Sequence, residues 1–118
     1  MEFKRYENSA YTVCELLGEG RLVSTTQDAL DLMGEAGARG IVVREDQVHP
    51  DFFRLRTGLA GEMLQKFTNY GIGFAIIGDF AKYTSKPLRD FIYESNRTGQ
   101  VLFVSSIEEA LAAWASNV

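Results

Sequence analysis

Two stretches of this sequence carry side chains whose types and spacing could do chemistry. The first is Arg56-Thr57-Gly58 with Gly61 just beyond, at the start of a helical pattern. A permanent cation, a hydroxyl and glycines that leave backbone N–H groups uncovered are the ingredients of a site for an anion or an acidic partner residue. The second is Asp79, Lys82 and Tyr83 after an apolar run, with Lys86 and Arg89 continuing the charge at spacings of four and three. A run of that kind also describes an ordinary solvated face, and Phe80 and Tyr83 read equally as interface anchors or as cover for a sheet edge. Catalysis has less to build with. His49, beside Pro50, is the only histidine, so a His-based triad or a metal cluster has no material. Cys14 lies in an apolar run and reads as a buried thiol rather than a nucleophile. No catalytic residue, metal or cofactor is expected.

Elements must position those groups, and the pattern supplies them in order. Phe3 to Tyr6 reads as a short strand, Asn8-Ser9 as a turn, and Tyr11 to Leu17 as a strand apolar at both parities, hence covered on both sides. Gly18-Glu19-Gly20 turns the chain into Arg21-Leu22-Val23-Ser24, a second short strand or an extension of the first. Those glycines resemble the opening of a dinucleotide fingerprint, but Val23 stands at the third glycine position and no helix opens at the turn. A phospho-receiver would need an acidic cluster at the same place. Thr25 and Asp28 form a capping box for a helix that runs to about Ala36 and is ended by Gly37 and Gly40. Gly40 to Val43 is a buried strand, and Glu45 to His49 a polar loop.

From Leu55 onward, Leu55, Leu59, Met63 and Phe67, joined by Ala60 and Leu64, mark one face of a helix that lasts to Tyr70. Inside a helix Gly58 and Gly61 each cost about 1 kcal/mol relative to Ala. That cost predicts a close backbone approach, N–H groups aimed at an anion, or a helix that begins only at Thr57. Phe74 to Asp79 is a second apolar strand. Thr84 or Ser85 caps the next helix, with Pro87 in its first turn and Leu88, Phe91, Ile92 and Ser95 inward. Asn96 to Gly99 closes it, Val101 to Val104 is the last strand, and Ser106 with Glu109 caps a final helix bearing Ile107, Ala110, Leu111 and Trp114. The order β-β-α-β-α-β-α-β-α predicts an α/β fold: a mixed, mostly parallel sheet covered on both faces, with an antiparallel partner from the N-terminal hairpin. Loops after parallel strands gather at one edge, where ligands bind. Here that edge would collect Arg44, Glu45, Arg56, Thr57, Asp79, Lys82 and Ser105.

Length and composition bound the rest. The 118 residues are expected to form one domain, residues 1–118, with about two-thirds of the chain's surface buried. Hydrophobic content of 46% with 24% charged residues is ordinary for a soluble globular chain. A net charge of −4 speaks against nucleic acid as the main partner. A single cysteine makes no internal disulfide and suits a reducing compartment. Met1 to Tyr6 is charged without an apolar leader core, and no apolar run approaches the roughly 18 residues of a membrane span. A cytoplasmic protein with no membrane partner is expected.

The run Phe52-Phe53-x-Leu55-x-Thr57-Gly58-Leu59-Ala60-Gly61-Glu62, then Gln65-Lys66-Phe67, Gly78-Asp79-Phe80, Tyr83-Thr84-Ser85 and Phe91-Ile92-Tyr93-Glu94-Ser95-Asn96, resembles the hallmark of a small bacterial family of domains of unknown function. These motifs span more than half the chain. More distantly, the order of elements and the ending Val104-Ser105-Ser106-Ile107-Glu108-Glu109-Ala110-Leu111 are similar to STAS domains, the fold of anti-sigma factor antagonists. Their Asp-Ser-Ser-Gly-Leu-Gly signature would fall on Leu55-Arg56-Thr57-Gly58-Leu59-Ala60. Gly58 and Leu59 match and Thr57 keeps a hydroxyl. The antagonists' phosphorylated serine falls on Arg56, so the resemblance does not bring a phosphorylation switch with it. What it implies is a STAS-like domain: a non-enzymatic regulatory or protein-binding module that docks through the start of the second helix and the loop after Asp79. Its site would comprise Arg56, Thr57, Gly58, Gly61, Asp79, Lys82 and Tyr83. The alternative is a domain for a small anion or nucleotide, or a weak enzyme, holding its anion over the N–H groups of Thr57 and Gly58. A homodimer through Gly58 and Gly61 is the third arrangement.

Overall fold

The computed structural model describes residues 1–7 and 12–116. Strands β1 (Glu2–Glu7) and β2 (Thr12–Leu17) lead to α1 (Thr26–Ala36), β3 (Gly40–Arg44), α2 (Leu59–Tyr70), β4 (Gly73–Ile77), α3 (Lys86–Thr98), β5 (Val101–Val104) and α4 (Ile107–Ser116). Three 3-10 turns, Glu45–Gln47, Pro50–Phe53 and Leu55–Thr57, fill the span between β3 and α2. The strands lie side by side in chain order, with β1 antiparallel to β2 and every later pair parallel.

Strand parity decides where the helices sit. Cys14, Leu16, Ile41, Val43, Phe74, Ile76, Val101 and Phe103 point into one core, shared with the apolar faces of α1, α2 and α3. The alternate residues Val13, Val42, Ala75, Leu102 and Val104 face the other way, onto α4. The expected mixed, mostly parallel sheet with helices on both faces therefore forms, with three helices on one face and one on the other. Because the chain always steps to the next strand in the same direction, its connections never diverge between two parallel neighbours. The crevice that such a divergence opens in doubly wound sheets is missing from this edge.

The lone helix on the second face is seated by glycine. Gly40 and Gly73 are register partners on β3 and β4. A Cβ at Gly40 would lie 2.8 Å from Cζ3 of Trp114, and one at Gly73 2.9 Å from its Cζ2. The indole thus lies on bare backbone, and its Nε1 donates to the Gly99 carbonyl at 2.9 Å. Both of the ring's needs, apolar contact and a partner for N–H, are met.

Local chemistry explains where elements begin and end. Thr25 Oγ1 accepts from the Asp28 N–H at 3.0 Å while Asp28 Oδ2 accepts from the Thr25 N–H at 3.1 Å, the expected capping box. Arg21 to Ser24 makes no strand. Val23 alone bridges to Val48, because its N–H donates to Gln47 and its carbonyl accepts from His49 before the chain turns into the cap. The helix expected from Leu55 is broken: Leu55–Thr57 is a 3-10 turn, and Gly58, with φ of +81°, resets the backbone so that α2 starts at Leu59. Only glycine adopts that conformation without strain. β4 stops at Ile77, two residues short of the expected Asp79. The Asn8-Ser9 turn and Tyr11 lie outside the described residues. Among the described residues no helix is long and apolar enough to cross a membrane.

Gly73→Ala is expected to lower the unfolding free energy by about 2 kcal/mol through overpacking against Trp114. Combined with Trp114→Leu, the loss should fall short of the sum of the two single changes. Chemical denaturation of the four proteins gives the coupling; strict additivity would contradict the seat.

Candidate functional site

At the C-terminal edge of the sheet Glu45 ties three connections together, through its carboxylate on one side and its backbone carbonyl on the other. Glu45 follows β3 directly and has only 16% of its side chain exposed. Lys82, from the loop after β4, approaches Oε1 at 3.0 Å and Oε2 at 2.9 Å. The Tyr83 hydroxyl donates to Oε2. Arg21, from the segment before α1, donates to the Glu45 carbonyl at 3.1 Å and to the Val48 carbonyl at 2.7 Å. Gly78 makes room for this: a Cβ there would lie 2.7 Å from Glu45 Oε1. Burial, then the hydrogen bond and charge of Glu45, push the Tyr83 phenol above its ordinary range. These groups line a shallow cleft of roughly 260 Å³.

Beneath the latch, Phe53 stacks on Tyr83 at 5.2 Å between centroids and 15° between planes. Phe80 meets Phe103 edge-on at 5.2 Å, and Phe103 in turn meets Phe91. The loop after β4 is thus pinned from below by aromatic burial and from the side by Glu45. Phe53 also belongs to a second, larger depression of roughly 460 Å³, bounded by Leu55, Arg56, Pro87 and Leu88. This groove runs between the 3-10 turns and the first turn of α3. Arg54 on its rim is paired with Asp51 at 3.1 Å. Arg56, also on the rim and exposed, has neither a hydrogen bond nor an ion pair among the described residues.

The residues singled out from sequence do not form one site. Lys82 and Tyr83 meet on Glu45, and Arg56 stands across Phe53 in the neighbouring groove. Thr57 is structural: its hydroxyl reaches the carbonyls of Asp51 and Arg54 at 2.7 and 2.9 Å and accepts from the Leu59 N–H at 3.3 Å. It caps α2 in place of Gly58, which has no side chain to do so. The expectation that the N–H groups of Thr57 and Gly58 await an anion is corrected, because they already donate to the carbonyls of Arg54 and Leu55. Gly61 is exposed on α2, with open space where a Cβ would stand, so no other element approaches it among the described residues. Asp79 lies apart, in a depression with Phe103, Ser105 and Glu109, where its carboxylate accepts from the Ala81 N–H at 3.2 Å.

Other residues of the edge are not evident from sequence. Gln47, in the supposed polar loop, is fully buried. Its Nε2 donates to the carbonyls of Leu16 and Gly18 at 3.2 and 2.9 Å, and its Oε1 accepts from the Arg44 N–H at 2.8 Å. His49 Nδ1 accepts from the Asp51 N–H at 3.0 Å, so the one histidine caps a turn. Phe53 was readable only as one aromatic of a motif. A glycine immediately after an apolar strand, Gly78, was the one available signal that a neighbouring side chain closes over it. Among the described residues no group of His, Cys, Asp or Glu is arranged to hold a metal ion.

A family model described as a domain of unknown function (DUF4180) matches residues 8–114, and the chain belongs to that family. No curated protein and no solved structure matches it.

Tyr83→Phe is expected to lower stability by about 1 kcal/mol at about pH 8, the contribution of one hydrogen bond to a charged acceptor at a partly exposed position. Since the folded state holds the Tyr83 proton more tightly, the unfolded chain releases it first as pH passes about 10. Wild type then loses stability and the gap to Tyr83→Phe narrows. Denaturation midpoints at about pH 8 and about pH 11 check the sign; a gap that widens contradicts it.

Proposed function

We propose that this member of the family of unknown function is a non-enzymatic, STAS-like regulatory module that docks a protein partner at the C-terminal edge of its sheet. The docking surface is the groove between Phe53 and Leu88, flanked by the start of α2 and the loop after Asp79. The observation that carries this reading is Arg56: an exposed guanidinium without a partner among the described residues, on the rim of an apolar groove, in a chain of net charge −4. Arginine beside exposed apolar surface is the composition of an interface rather than of a merely solvated helix end.

The chemistry around the groove supports binding over catalysis. Lys82 neutralises Glu45, the Tyr83 hydroxyl is spent on the same carboxylate, and His49 is used as a turn cap. An anion held on the backbone at Thr57 and Gly58 would have to displace existing hydrogen bonds. The acidic balance of the chain suits a protein partner rather than nucleic acid. Its lone cysteine is buried, with its thiol pushed up by desolvation, which suits a reducing, cytoplasmic setting.

The test is affinity capture from lysate of the source cells with wild type, Arg56→Glu and, as a control on the distant edge strand β1, Lys4→Glu. A protein retained by wild type and Lys4→Glu but depleted about tenfold or more on Arg56→Glu is the expected result. A retained set identical on all three proteins would contradict the reading.

A further inference from the structure

Resting on that reading, we propose that the occupant of the groove is a short linear segment of the partner, with one apolar side chain over Phe53 and an Asp or Glu close by in sequence that pairs with Arg56. The size of the space argues for a segment. A depression of roughly 460 Å³ takes a side chain and its flanking backbone, whereas a folded partner needs a far broader contact. Its walls argue for an apolar anchor. Leu55 and Pro87 flank it, buried Leu88 closes it, and Phe53 lies at its base.

The cations argue for a carboxylate. Arg54 is already neutralised by Asp51, and Arg56 is the rim guanidinium left over. A planar guanidinium meets a carboxylate through two parallel N–H donors. A phosphorylated segment fits less well. Phosphate recognition draws on clusters of unpaired arginines, and here the Asp51 carboxylate beside Arg54 would repel a dianion. Phe53 is the positioning residue of the groove: Tyr83 stacks on its ring and is itself held by Glu45.

The probe is a displayed library of random linear heptapeptides, selected against the folded full chain and, in parallel, against Arg56→Glu and Arg56→Gln. Thermal unfolding verifies that both variants are folded, as the exposure of Arg56 predicts. The expected result is enrichment of peptides with an apolar residue within a few positions of Asp or Glu, whose binding falls about tenfold on Arg56→Gln and further on Arg56→Glu. Enriched peptides without acidic residues, or binding that ignores both substitutions, would overturn the inference. Enrichment of nothing would overturn it too. In either case an Arg56-sensitive protein in the capture experiment would leave the binding-module reading standing, with a folded surface as the occupant.

Discussion

The half-buried carboxylate of Glu45 is the interaction on which the C-terminal edge of the sheet depends. A half-closed acid held only by neighbouring carbonyls would be costly; one held by an ammonium and a phenol is not. Lys82 and Tyr83 meet that need, and in doing so they fix the loop after β4. Tyr83 then supports Phe53, and Phe53 forms the base of the groove beside Arg56. Gly78 is the backbone condition for the whole arrangement, since any side chain there would strike Glu45. An electrostatic requirement at the end of one strand thus shapes an apolar surface two connections away.

The winding of the sheet decides where such a groove can form. In doubly wound sheets a crevice opens where successive connections depart in opposite directions. Strands in simple chain order, with α1, α2 and α3 on one face, leave no such place. The edge is instead closed over by the Glu45 contacts and by Gln47, which satisfies the carbonyls of Leu16 and Gly18 where β2 ends. The groove beside Arg56 lies further out, at the seam where the 3-10 turns meet α3. On the opposite face the economy is similar: one tryptophan on two glycines anchors the single covering helix.

Much of the fold was legible because its signals are local. Thr25 with Asp28, Ser106 with Glu109, and the β-branched runs at Ile41 and Phe74 each act within a few residues, and the elements they predict are present. The start of α2 was misread for an equally local reason. Leu55 lies on the apolar face whether its turn is α or 3-10, and periodicity does not reveal the left-handed conformation of Gly58. The site was less legible because its partners are distant. Glu45 meets Lys82 and Tyr83 across 37 and 38 positions, and Gln47 meets Leu16 across 31. Nothing in a polar run such as Glu45 to His49 marks which side chain turns inward. Arg56 was legible as a cation at the second helix's approach, but its apolar setting comes from Pro87 and Leu88, brought in by a separate helix.

The most direct measurement is amide hydrogen exchange of Glu45→Ala against wild type. If Glu45 organises the edge, exchange should accelerate in residues 78–85 and 50–58 together, while β4 and α1 keep wild-type protection. Acceleration confined to the immediate neighbours of position 45, with the groove segments unchanged, would contradict the dependence of the groove on this carboxylate.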